Sequence, residues 1–317
     1  MRRRPLGANG PDVGEIGFGV MPMSWAYIGD SPDDPVEVIR RAVELGVTLL
    51  DTADVYGPFT NEELLGRALA ESGLRDEVVI STKVGLVVGP SGGYPLDRDA
   101  RPERITNEVD GSLRRLRTDV IDLYTLHRTD PQVPLEDSWG ALAELVRSGK
   151  VRAIGLSEVS ADELERASAI HPVAAVQSEL SVWTRDGLAE VVPWCRDHGA
   201  AFVAFSPLGR GYLTGEMSSA GFDPTDFRAT NPRFTPEAIE ANRRIVDVVR
   251  AVADRHAATP AQIALAWVLA QGDHVIPIPG TKRRRWLEEN VAAAEVELSE
   301  ADLVELDHAP ESVAPRY

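Results

Sequence analysis

Cysteine is almost missing from this chain: Cys195 is the single thiol among 317 residues. No internal disulfide can form, and the six scattered histidines offer no Cys/His spacing of the kind that holds zinc. Long apolar runs are missing too. The longest clean one, residues 263–270, falls far short of the ~18 residues that span a bilayer. The arginines at positions 2–4 have no apolar stretch behind them, so no secretory signal is expected. Positive charge is scarce: 33 Lys and Arg stand against 50 Asp and Glu, a net charge of −17. Such a chain repels a phosphate backbone, which argues against nucleic acid as its main partner. These absences predict a cytoplasmic protein with no membrane partner. What remains, 43% hydrophobic and 26% charged residues, is ordinary globular composition.

Short β-branched or apolar runs alternate with helical stretches along the whole chain. The predicted strands are 16–20, 47–51, 78–83, 120–127, 151–157, 173–177, 201–206 and 275–278. Their continuous apolar character suits parallel strands buried on both faces. Helix starts are written in the segments between. Residues 60–63, 160–163 and 299–302 read as capping boxes, and Thr235-Pro236 and Thr259-Pro260 put a cap before a proline at the first helical position. Ile105, Val109, Leu113 and Leu116 recur at helical spacing.

Eight strands, each followed by a helix, predict an α/β fold of the (β/α)8 TIM-barrel type, in one domain over residues 1–317. An open doubly wound sheet is the alternative. The nearest approach to its glycine signature, Gly17-Phe18-Gly19, lacks the third glycine. Two connections, 84–101 and 207–235, are long, and long loops inside a compact domain are usually functional. Both follow strands, which places them on the catalytic face of a barrel.

Polar residues stand where the strand ends converge on that face. Asp51 ends the second predicted strand, Lys83 the third and His127 the fourth, while Tyr56 lies in the turn after Asp51. Each has a plain structural use, as a cap, an ion-pair partner, a core imidazole or a rim aromatic. Their convergence is what points to chemistry. An ammonium beside a tyrosine favours the phenolate and lowers the phenol from its reference pKa of ~10. Asp51 keeps that ammonium charged and oriented. The phenol can then pass a proton to a carbonyl oxygen that receives hydride, with His127 holding that oxygen, and no metal is required.

The end of the chain adds an anion site. Glycines in Ser206-Pro207-Leu208-Gly209-Arg210-Gly211 allow backbone N–H groups to approach a phosphate. After the eighth strand comes Pro279-Gly280-Thr281-Lys282-Arg283-Arg284-Arg285. Four consecutive cations at a helix start are unfavourable unless an anion sits there. A monophosphate such as the 2′-phosphate of NADP(H) is one.

On these residues, from Gly17-Phe18-Gly19 to Glu289-Asn290, the chain resembles an aldo-keto reductase. The resemblance implies a (β/α)8 barrel that reduces aldehydes and ketones with NADPH, a small-molecule carbonyl as partner, and Tyr56, Lys83, Asp51 and His127 as the catalytic set. It implies that Ser157 and Gln177 hold or stack against nicotinamide. Gly19 and Met21 join them at the cofactor, and Ser206, Leu208, Gly209 and Gly211 line the pyrophosphate path. Gly280, Thr281, Lys282 and Arg283 meet the adenosine phosphate, with Glu289 and Asn290 near adenine. Where many members have Ser-Asn, this chain has Ser157-Glu158, which is most similar to the yeast-type pyridoxal reductase branch. Glu158 can accept from a carboxamide but cannot donate to it. Trp25, Tyr27, Phe59 and Arg128 are candidate substrate-pocket residues, suited to planar aldehydes or to an anionic group on the substrate. Two other functions use the same residues: a Schiff-base aldolase or lyase with Lys83 as nucleophile, and a non-catalytic NADPH-binding regulatory subunit.

Overall fold

The computed structural model describes residues 1–27, 31, 33–89, 96–217 and 221–316. Among these, eight parallel strands stand side by side: β1 (Phe18–Gly19), β2 (Leu49–Asp51), β3 (Val79–Val84), β4 (Ile121–Leu126), β5 (Val151–Ser157), β6 (Ala175–Glu179), β7 (Ala201–Phe205) and β8 (Val275–Pro277). Each is followed by helix: α1 (Pro35–Glu44), α2 (Thr60–Ser72), α3 (Pro102–Leu116), α4 (Leu135–Arg147), α5 (Ala161–Ser168) and α6 (Val191–His198) come first. Then α7 (Pro236–His256) and α8 (Pro260–Leu269) follow β7, and α9 (Arg284–Ala292) and α10 (Glu300–Asp307) follow β8.

The first and last strands close the ring. Gly17 N–H donates to Pro277 O at 2.9 Å and Gly19 N–H to Pro279 O at 3.3 Å. A side chain would obstruct this seam: a Cβ on Gly17 would stand 2.9 Å from Ile278 Cγ2, and one on Gly280 would stand 2.7 Å from Gly19 O. The Gly17-Phe18-Gly19 run therefore serves barrel closure and not a dinucleotide turn, which removes the open-sheet alternative. Several strands are shorter than the apolar runs that predicted them; β1 pairs over two residues where five were expected.

The strand period of two separates two cores. Leu49, Val79, Leu123, Ala175, Val203 and Ile276 face inward and pack with Leu6 and Val13 of an N-terminal hairpin (Arg3–Pro5 with Asp12–Gly14) at one end of the barrel. Their outward neighbours, such as Leu50, Ile80, Tyr124 and Phe202, pack beneath the helices.

Capping follows the predicted chemistry with one correction. Ser160 with Glu163, Ser299 with Asp302 and Thr259 with Gln262 form reciprocal capping boxes, and Thr235 caps α7. Thr60 does not cap α2. Phe59 occupies the cap position at φ 69°, and Thr60 Oγ1 donates to Gly57 O instead, at 2.9 Å. The tight turn that carries Tyr56 uses the hydroxyl. Parts of the two long connections, 90–95 and 218–220, lie outside the described residues.

Candidate active site

Inward parity continues from the core to the open end of the barrel. Two residues beyond Leu49 stands Asp51, four beyond Val79 stands Lys83, four beyond Leu123 stands His127, and two beyond Ala175 stands Gln177. The β2–β3 register sets Asp51 beside Ser81, and the β3–β4 register sets Lys83 beside Thr125. Polar groups on four strands thus meet above an apolar plug.

Lys83 is wholly buried, and its Nζ lies 2.6 Å from Asp51 Oδ2, 2.7 Å from Thr52 O and 3.4 Å from Tyr56 OH. Burial pushes the ammonium below its ordinary value, while Asp51 pulls it back up. The other carboxylate oxygen, Asp51 Oδ1, accepts from Ser81 Oγ and Gln177 Nε2, each at 2.8 Å. The Tyr56 ring packs on Trp25 and meets His127 edge-on at 5.7 Å between centroids. Burial, reinforced by the charges of Lys83 and Arg128, holds the His127 imidazole well below its usual range, so it is neutral at pH 7. Neutral imidazole can donate one hydrogen bond without carrying charge into the site.

These groups open into a cavity of about 1250 Å³. Its walls include Asp51, Tyr56 and His127 with Trp25, Tyr27 and Arg128. Ser157, Gln177, Ser206, Leu208 and Gly211 line it too, with Gly19 and Met21. So do Gly280, Thr281, Lys282, Arg283, Glu289 and Asn290. Tyr27 is no rival acid: burial pushes its phenol up to about 12.

Three predicted residues lie elsewhere. Phe59 is 39% exposed and sits under the Arg115 guanidinium, 4.4 Å from ring centroid to Cζ, away from the cavity lining. Gly209 packs against Trp183, where a Cβ would stand 2.8 Å from Nε1, and so shapes the loop without facing the cavity. Glu158 has φ 56° and turns behind the strand ends. Its Oε1 accepts from Glu179 N–H at 3.0 Å, and its Oε2 is ion-paired with Arg316. The cation cluster divides: Lys282 and Arg283 line the cavity, whereas Arg284 pairs with Glu288 and Arg285 lies over Trp286.

Arg128 is tied into the site more closely than expected. Its Nη1 donates to His127 O at 2.6 Å and Ser157 Oγ at 2.9 Å. Sequence reasoning missed Leu96 and Arg98 from the first long connection, and Arg210, Phe227, Arg228 and Asn231 from the second, all of which line the cavity. Their signal was the length of those connections; the side chains within them carry no periodicity. Arg210 holds a left-handed backbone (φ 58°) between two glycines and lies 3.2 Å from the buried Glu179. No helix among the described residues is long and apolar enough to cross a membrane.

Comparison with known proteins bears on the family and the fold. The profile described as "Aldo/keto reductase family" matches residues 15–311. A probable aldo-keto reductase 1 of Glycine max is 44% identical over 303 residues, 95% of this chain and 86% of that protein. Among solved structures, a glycerol dehydrogenase from Gluconobacter oxydans superposes with a TM-score of 0.87 at 29% identity, covering 99% of this chain and 98% of that one. A thermostable aldo-keto reductase solved with the inhibitor epalrestat gives 0.76 at 30% identity, covering 98% and 100%.

Proposed function

The chain belongs to the aldo/keto reductase family, and from that premise we propose that it reduces aldehydes and ketones with NADPH, using Tyr56 as proton donor. Members of the family are oxidoreductases that use nicotinamide cofactors on carbonyl compounds. The observation that carries the finer reading is the chain of contacts from Asp51 to Lys83 to Tyr56, at 2.6 and 3.4 Å, beside a cavity whose walls also present Lys282 and Arg283.

The residues present fit a dinucleotide phosphate. The cavity is continuous from Ser157 and Gln177 to Asn290, and Gly211, at φ 93°, leaves ordinary van der Waals room above its Cα. Ser157 and Gln177 would hold the nicotinamide end, Ser206, Leu208 and Gly211 the pyrophosphate, and Thr281, Lys282 and Arg283 the adenosine phosphate. When bound, the reduced nicotinamide would supply a hydride, one hydrogen with its bonding electron pair, to the carbonyl carbon. Tyr56 gives its hydroxyl proton to the carbonyl oxygen, and the Lys83 ammonium stabilises the phenolate that remains. Asp51 fixes Lys83 in place, and neutral His127 orients the oxygen by a hydrogen bond. Arg128, bonded to His127 O and Ser157 Oγ, ties the substrate end to the nicotinamide end.

Lys83 is poorly placed to be a Schiff-base nucleophile. Asp51, Thr52 O and Tyr56 OH occupy the three N–H directions of an ammonium, and a nucleophile needs a free lone pair. The complete catalytic set likewise supports turnover over a purely regulatory role. The test is NADPH oxidation followed with a panel of aldehydes that includes pyridoxal and nitrobenzaldehyde, with NADH in parallel. Turnover with an NADPH preference supports the proposal. No turnover with either cofactor across the panel overturns it.

A further inference from the structure

Helices α2 and α3 flank a second recess of about 620 Å³ that shares no lining residue with the cavity and lies within the size range of small-molecule sites. Its lining includes four arginines, Arg67, Arg114, Arg115 and Arg117, with Thr60, Glu63 and Leu64. The position of Gly66 makes the recess possible. A Cβ there would stand 2.2 Å from Arg115 O and 2.7 Å from the Leu116 carbonyl carbon, so only glycine lets α2 approach the end of α3 this closely. The same approach brings Arg67, from the middle of α2, to the three arginines of the other helix.

Arg115 is neutralised: its Nε lies 2.6 Å from Glu62 and its Nη2 2.7 Å from Glu108. Among the described residues, Arg67, Arg114 and Arg117 make no side-chain hydrogen bond or ion pair, and Glu63 pairs with none of them. The C-terminal end of α3 stabilises cations in its last turn, which accounts for Arg114 and Arg117. It does not account for Arg67, which a glycine contact delivers to the same recess from another helix. A chain with 50 acidic residues has ample carboxylate to pair these groups, yet leaves three of them without a counter-ion on one recess, where like charges repel unless an anion joins them.

We propose that this recess binds a multiply charged phosphate compound, with Arg67, Arg114 and Arg117 as its ligands. Guanidinium forks suit phosphate oxygens, and three of them converging from two helices favour an anion with more than one charged group. Arg115 lies over Phe59, three residues from Tyr56, and its partner Glu62 accepts from Thr82 Oγ1 at 2.6 Å, next to Lys83.

The probe is inorganic pyrophosphate, titrated calorimetrically into the full chain saturated with NADPH so that the phosphate subsite of the cavity is filled. Saturable binding that weakens by at least about tenfold in the Arg67→Ser/Arg117→Ser double variant is expected. Both side chains are exposed and unpaired, so the variant should fold normally. Glu63→Gln removes an acid from the lining and should tighten binding. Absence of saturable binding to the wild-type chain, or equal affinity in the double variant, overturns the site. Aldehyde turnover by the double variant should equal that of wild type, so failure of this site leaves a different signature from failure of the reductase reading.

Discussion

Gln177 reaches across the barrel mouth to donate its Nε2 to Asp51 Oδ1 at 2.8 Å, joining strands β6 and β2. Asp51 therefore divides its charge between Lys83 on one oxygen and the neutral donors Ser81 and Gln177 on the other. Replacing Gln177 by Leu removes one of these donors without adding charge. A hydrogen bond to a charged group contributes ~1.5–3 kcal/mol, so kcat should fall by about tenfold or more through a loosened Asp51–Lys83 pair. Steady-state kinetics beside a separate NADPH binding titration distinguishes the two uses of the side chain. A kcat equal to wild type, with only NADPH affinity reduced, would remove Gln177 from the Asp51 network.

Tyr56→Phe keeps the ring that packs on Trp25 and meets His127, and deletes only the hydroxyl. Loss of a general acid lowers turnover by roughly 10²–10⁴. NADPH affinity and thermal stability should stay near wild type, because the ring and its packing against Trp25 and His127 are retained. Retention of near-normal turnover in this variant would assign the proton to another group.

The barrel and the inward-facing part of the site were legible because both rest on strand periodicity. Asp51, Lys83, His127, Ser157 and Gln177 share the parity of Leu49, Val79, Leu123 and Ala175, and parity aims side chains whatever the loops do. The same rule bears on Glu158: one residue past Ser157, it has the opposite parity, and its left-handed backbone completes the turn away from the cavity. Phe59 failed for a different reason. It stands in a turn, where direction is set by φ, and a φ of 69° sends the ring toward Arg115. Leu96, Arg98, Arg210 and Phe227 escaped notice because they belong to long connections whose paths depend on tertiary contacts and leave no local pattern.

Lys282 lines the cavity and donates from Nζ to Tyr27 O at 3.1 Å, which fixes its charge beside that residue. A lysine read by a 2′-phosphate matters to NADPH and hardly to NADH. Lys282→Ala should raise the KM for NADPH by at least about tenfold, as expected for loss of a charge-assisted contact, and change the KM for NADH little. Equal losses with both cofactors would mean that Lys282 supports the loop and does not read the phosphate.

Asp54 lies behind the catalytic set, wholly buried, and neither of its carboxylate oxygens has a hydrogen-bond partner; the nearest cation, Arg104 Nη2, is 3.9 Å away. Burial, with the charges of Glu62 and Glu108, pushes this carboxyl well above the usual range, against the pull of Arg104. The sign of its effect on stability follows from linkage. Above the ordinary Asp pKa the unfolded chain has released this proton while the folded chain still holds it, so the folded state binds more protons and stability falls as pH rises. The loss ends only when pH passes the raised folded value. Asp54→Asn keeps the shape, cannot ionise, and removes that slope. Thermal unfolding of the two proteins should therefore diverge as pH rises above the ordinary Asp range, with the variant gaining in Tm relative to the wild type. His127 acts in the opposite sense: its depressed folded value costs stability as pH falls below the ordinary histidine range, so that limb should remain in both proteins. Parallel curves across the whole range would show that Asp54 is ionised in the folded chain, with Arg104 as its effective counter-charge.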